Sequence, residues 1–163
     1  MGRKSKKPIK QPPPRLTEVP RENLVTVGGA IQDATVSLRF FGDDLIPADI
    51  TKLLGAAPTE ARKKGDVIQR SRYHLKARTG SWLLKSALDR RTELSDQISG
   101  LLDQVTSDSK VWHKLTTRYS ADLFCGLFLD EFNRGFNLPP TLVARLAKLG
   151  LGISFDIYGP VSE

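Results

Sequence analysis

A chain of 163 residues with 25 basic and 18 acidic side chains and 39% apolar residues is long enough for one core that needs no disulfide or metal staple. No run approaches the roughly 18 consecutive apolar residues that span a bilayer. The basic start leads into prolines rather than a signal-peptide apolar stretch, and Cys125 is the single cysteine, so a cytoplasmic protein with no membrane partner is expected.

The net charge of +7 looks like a nucleic-acid signature until the charges are placed. Arg3, Lys4, Lys6, Lys7, Lys10 and Arg15 stand in the first 15 residues with no acid, leaving 19 basic against 18 acidic residues elsewhere. Arg62, Lys63, Lys64, Arg70, Arg72, Lys76 and Arg78 gather around Asp66, so the remainder is acidic, with 12 basic and 17 acidic residues.

Residues 1–22 combine these lysines with Pro8, Pro12, Pro13, Pro14 and Pro20 and almost no large apolar side chain, a composition that predicts a disordered tail ahead of one domain over 23–163. From Thr35, Val36, Leu38 and Phe40 alternate with Ser37, Arg39 and Phe41, a strand. Gly42-Asp43-Asp44 makes a turn; Pro47 opens a helix lined by Ile50, Leu53 and Leu54, and Gly55 ends it. Residues 57–80 show little periodicity and read as a long loop or an edge hairpin, followed by a strand over Ser81–Ser86.

Leu94, Ile98, Leu101, Leu102 and Val105 form the apolar stripe of an amphipathic helix, and a short helical turn presents Val111, Trp112 and Leu115. The longest alternation, Tyr119 to Asp130, places Leu123, Cys125 and Leu127 on one face and Phe124, Gly126 and Phe128 on the other, which predicts a central strand. Pro139-Pro140 opens a helix through Leu142, Val143 and Leu146 that Gly150 stops. The last strand is read with Ile153, Phe155 and Ile157 inward and Ser154, Asp156 and Tyr158 outward. The expected fold is a single small α+β domain, its mainly antiparallel or mixed sheet carrying helices on one face.

Arg39 with Gly42-Asp43-Asp44, Ile50 to Gly55, Lys64-Gly65-Asp66, Thr79-Gly80-Ser81-Trp82 and Leu151 to Tyr158, taken in order, resemble a bacterial domain-of-unknown-function family, number four-two-seven-nine, over residues 34–159. The resemblance implies a compact α+β fold and no established activity. The tail falls outside it.

No catalytic, metal or cofactor constellation stands out. His74 and His113 lack a second ligand at metal spacing, and glycines are not gathered into a phosphate loop. Cys125, mid-strand, reads as a core thiol. Asp43-Asp44 and Asp130-Glu131 read as turn formers, and an enzyme reading would require Asp43, Asp44 or Asp156 to share one pocket. Arg39, Trp82, Asp156 and Tyr158 read either as a partner-binding groove or as inter-strand ion pairs and hydroxyl bonds. The leading expectation is a non-enzymatic binding or assembly module that docks a protein partner. The alternative is nucleic-acid association through Lys4, Lys6, Lys7, Lys10, Arg62, Lys63, Lys64, Arg70 and Arg72.

Overall fold

The computed structural model describes residues 29–70 and 73–160. The tail expected over 1–22, with Lys4, Lys6, Lys7 and Lys10, lies outside the described residues, as do Arg72 and the side chain of Arg70.

Alternation makes β1 (Asp33–Gly42) two-faced, burying Ala34, Val36, Leu38 and Phe40 while Thr35, Arg39 and Phe41 stay half-buried on the other side. Pro47 then fixes the first turn of α1 (Pro47–Leu54), which Gly55 closes with a left-handed φ of 77° that a Cβ would oppose. The segment after α1 is the edge hairpin. It runs through β2 (Glu60–Arg62), β3 (Val67–Arg70), β4 (Tyr73–Lys76) and β5 (Gly80–Lys85), with β3 and β4 forming their own two-stranded ribbon.

Two helices follow, α2 (Leu94–Leu102) and α3 (Ser109–Arg118). The short turn expected around Trp112 is thus a ten-residue helix, begun where the Asp108 carboxylate accepts from the Lys110 backbone N–H at 2.8 Å. β6 (Ser120–Phe128), α4 (Pro140–Leu149) and β7 (Gly152–Tyr158) complete the chain.

The five-stranded sheet has the order β2-β5-β1-β6-β7. Every pair is antiparallel except β6–β7, which is parallel and joined through α4, as a crossover connection requires. β6 therefore lies inside the sheet, as its two apolar faces predicted. α1, α2 and α3 lie against one sheet face and α4 packs on α3, all four burying their apolar sides in a core with Phe40, Trp82, Trp112, Leu123, Cys125 and Leu127. Phe40 meets Trp82 edge-on at 5.8 Å and Trp112 at 6.0 Å. Each indole N–H is satisfied, Trp82 donating to Thr51 Oγ1 at 3.0 Å and Trp112 to the Thr106 carbonyl at 2.6 Å. Among the described residues no helix is long and apolar enough to cross a membrane.

Two expected core assignments change. In α4 it is Leu142, Leu146 and Leu149 that face the core, and Val143 is exposed, because the helix packs against α3 on that side. Phe155 and Ile157 do share the core face of the sheet, but they are 37% and 57% exposed, since α4 packs on α3 rather than over β7. Ile153 alone of the three packs against the core.

Candidate functional site

Helices on one side leave the opposite face of the sheet uncovered, and the polar phase of each strand points there. On that face Arg39 of β1 stands directly opposite Asp122 of β6. The guanidinium donates from Nε to Asp122 Oδ1 at 2.8 Å and from Nη2 to Oδ2 at 2.6 Å, and Ser154 Oγ of β7 donates to the same Oδ2 at 2.8 Å. This is a two-pronged ion pair extended across three strands, with both charged side chains three-quarters covered. Burial pushes the Asp122 carboxyl up, but the bonds from Arg39 and Ser154 and the guanidinium charge outweigh it and hold the group below the ordinary carboxylate value.

Aromatic rings flank the pair. Arg39 lies 4.1 Å from the Phe124 ring centroid and 5.6 Å from that of Phe41. Farther along the same face Phe128 stacks on Tyr158 at 4.8 Å, with Arg90 over Phe128 at 4.6 Å. Arg90 is in turn held by Asp33 at 2.5 Å, and a surface groove of about 450 Å³ runs past Asp33, Arg90 and Phe128. The face is therefore a row of rings and arginines, with Arg39 and Arg90 each paired with a carboxylate.

The expected set of Arg39, Trp82, Asp156 and Tyr158 is brought together only in part. Trp82 belongs to the core phase of β5 and is 0% exposed, so it lines no surface groove, and its place in one is corrected. Arg39 pairs with Asp122 and not with Asp156, which accepts instead from the Tyr158 hydroxyl at 2.5 Å. That bond and the Asp156 charge raise the Tyr158 pKa. Arg39 and Tyr158 share a face, but Arg39 sits at the Asp122–Gly152 level and Tyr158 six residues farther along β7. Phe41, Arg90, Asp122, Phe124, Phe128 and Ser154 went unassigned in the sequence; the one signal was large aromatics in the polar phase of the longest strand.

The acidic turns do not meet. Asp43 pairs with Lys64, Asp44 with Arg118 at 2.6 Å, and Asp130 and Glu131 both with Arg134. Hydrogen bonds from Arg134 hold the Asp130 carboxyl at about 2. Asp43 and Asp44 follow the Gly42 end of β1, whereas Asp156 lies level with Thr35 near its start, so the pocket that an enzyme reading required is not formed. Among the described residues no group of three or more His, Cys, Asp or Glu side chains is placed to hold a metal ion. Cys125 is buried in the core, and burial pushes its thiol up to about 12.

In the basic region, Arg62 pairs with Glu60 and Lys64 with Asp43. Lys63, Lys76 and Arg78 are exposed and make no ion pair among the described residues.

A family model, Domain of unknown function (DUF4279), matches residues 32–160, from just before β1 to just after β7. The chain belongs to this family. No curated protein and no solved structure matched it. The matched span holds every element of the DUF4279 domain described above, including the Arg39–Asp122–Ser154 contact and the aromatic row, and it excludes the basic tail.

Proposed function

We propose that this DUF4279 chain is a non-enzymatic cytoplasmic binding module that docks a protein partner on the helix-free face of its sheet. The observation that supports the reading is the Arg39–Asp122–Ser154 contact, set between Phe41 and Phe124 and continued by Phe128, Tyr158 and Arg90. Arginines and aromatics fixed before binding are what interface hot spots consist of, because little side-chain freedom remains to be lost. The charge of the face argues for protein over phosphate: Arg39 and Arg90 are balanced by Asp122 and Asp33, and Asp156 adds a further carboxylate.

A second reading, nucleic-acid association, draws on a different place. The β3–β4 ribbon and its base present Lys63, Lys76 and Arg78 unpaired, next to Arg62 and Lys64, and Arg70, Arg72 and the tail lysines add charge in sequence. Two measurements separate the readings. Proteins retained from a source-cell lysate by the wild-type chain should be lost by Arg39→Ala and Tyr158→Ala, and a retained partner, once purified, should bind those variants at least about tenfold more weakly by calorimetry, a loss of about 1.4 kcal/mol. Identical retention by wild type and variants would end the docking reading. Anisotropy with a labelled duplex and a labelled single-stranded RNA at two salt concentrations tests the other; binding that weakens steeply with salt would favour it.

A further inference from the structure

The two edges of the sheet are unlike. β2 is three residues long and leads into the basic hairpin, whereas β7 is seven residues long and, among the described residues, paired on one side only. The Leu129 N–H donates to the Tyr158 carbonyl at 2.9 Å, so Tyr158, and by alternation Asp156 and Ser154, aim their backbone groups at β6. Those of Ile153, Phe155 and Ile157 consequently point out of the sheet. Gly152–Tyr158 contains no lysine and no proline to guard this edge, and its one charge, Asp156, lies on the helix-free face and is bound to the Tyr158 hydroxyl. Beside it, Phe155 and Ile157 are exposed on the core side, and Phe136, itself exposed, packs on Phe155 at 5.0 Å.

The order of residues in β7 says what fits. G-I-S-F-D-I-Y repeats its apolar pattern in either direction about Phe155. We propose that β7 pairs antiparallel with β7 of a second copy about a twofold axis at Phe155, joining two five-stranded sheets into one continuous sheet.

A twofold axis perpendicular to the sheet keeps the helices of both copies on one side, so residues of like phase must stand opposite each other. With the axis at Phe155, Phe155 meets its own copy, Ile153 meets Ile157, and their outward N–H and C=O groups exchange hydrogen bonds. On the other face Ser154 meets Asp156, and Tyr158 meets Gly152, where nothing lies within 4 Å of the Cβ position to obstruct the ring. Moving the axis to Asp156 sets two carboxylates directly opposite, which is unfavourable. Moving it to Ser154 leaves Ile157 and Tyr158 without opposite members in the strand. The Phe155 register alone uses all of β7 without opposing like charges.

Phe136, Phe155 and Ile157 together expose on the order of 300 Å² per copy before the strand edge is counted, against about 800 Å² per partner in a standard interface. An interface of that size lies at the small, reversible end of specific association, so the dimer is sought at micromolar concentrations and above.

Sedimentation velocity of the full chain from about 1 to 200 µM should show a monomer passing into a dimer as concentration rises. Ile157→Pro removes an outward N–H that β6 does not use, and Ile157→Lys adds a guarding charge; each should hold the chain monomeric with an unchanged far-UV circular dichroism spectrum and a cooperative melt. Phe155→Cys should form a disulfide-linked dimer several-fold faster than Asp156→Cys, because only residue 155 faces its own copy at about 5.5 Å between Cα atoms. A wild-type chain monomeric throughout, a dimer surviving both Ile157 variants, or faster linkage at 156 would each overturn the proposal. A monomer whose Ile153, Phe155 and Ile157 amides resist hydrogen exchange would give the edge to another segment of the same chain, and likewise overturn it.

Discussion

Leu127 and Ile157 stand side by side across β6 and β7 and point to the same side of the sheet, yet one is 0% and the other 57% exposed. Truncating each to alanine therefore isolates the effect of what lies above the strand. Leu127→Ala removes three carbons from a site closed by the neighbouring Ala34 and the helical layer; at about 0.8 kcal/mol per buried methylene the transfer loss is about 2.4 kcal/mol. A residual void on the order of 50 Å³ adds about 1 kcal/mol, giving about 3 to 4 kcal/mol in all. Ile157→Ala leaves no void, since solvent fills the space, and less than half of its transfer loss applies, about 1 kcal/mol or less. Urea unfolding of both variants, at a concentration low enough to keep the chain monomeric, measures the difference, with the denaturant slope unchanged. A gap below about 1 kcal/mol, or a Leu127→Ala cost inside the surface range of about 0.5 kcal/mol, would refute the account of a helical layer that covers β6 and stops short of β7.

Three further outcomes can be measured directly. Asp122→Asn should cost about 1 kcal/mol at neutral pH after allowance for solvent screening; because the folded pKa is lowered, that contribution is complete above the unfolded value of about 3.9 and fades as pH falls through the folded one, so wild type and variant should converge in acid melts. Gly80→Ala would set a Cβ 2.8 Å from the Gly42 carbonyl oxygen and 2.9 Å from that of Leu45, and thermal unfolding should show a loss of about 1 to 3 kcal/mol. Cys125, with its thiol at about 12, should react with iodoacetamide at pH 8 only as fast as the core opens, so its labelling rate should rise with urea in step with unfolding; prompt labelling of the native chain would contradict its burial.

The elements that sequence made legible are those whose partners lie within their own period. Val36, Leu38 and Phe40 mark β1, Ile98, Leu101 and Leu102 mark α2, and the glycines at 55 and 150 end their helices with φ of 77° and 69°. Residues 57–80 were harder, because β3 and β4 pair only with each other and keep Val67 and Leu75 exposed, so no buried face imposes a pattern. Trp82 was misplaced for a related reason. Its neighbours Ser81 and Leu83 do not distinguish the two phases of a short strand, and only the register against Phe40 puts the indole under α1.

The candidate face was hidden at a longer range. Arg39 and Asp122 are 83 positions apart, and no periodicity links them until β1 and β6 are set in register. Ser154 joins only because the crossover through α4 returns β7 parallel to β6, bringing Ser154 level with Phe124, two residues beyond Asp122 on the same face. Phe124 and Phe128 are legible in the sequence as apolar residues in the polar phase, the mark of an internal strand, which β6 is. Internal position accounts for pairing on both edges, however, not for cover on both faces. Among the described residues every helix lies on the Leu123–Cys125–Leu127 side, so the second set of rings meets Arg39, Arg90 and Tyr158 instead, and the same one-sided layer leaves Phe155 and Ile157 uncovered at the edge. Apolar surface left in both places by one layer of helices is what a chain with two separate contacts, one to a partner across the face and one to its own kind along the edge, would be expected to carry.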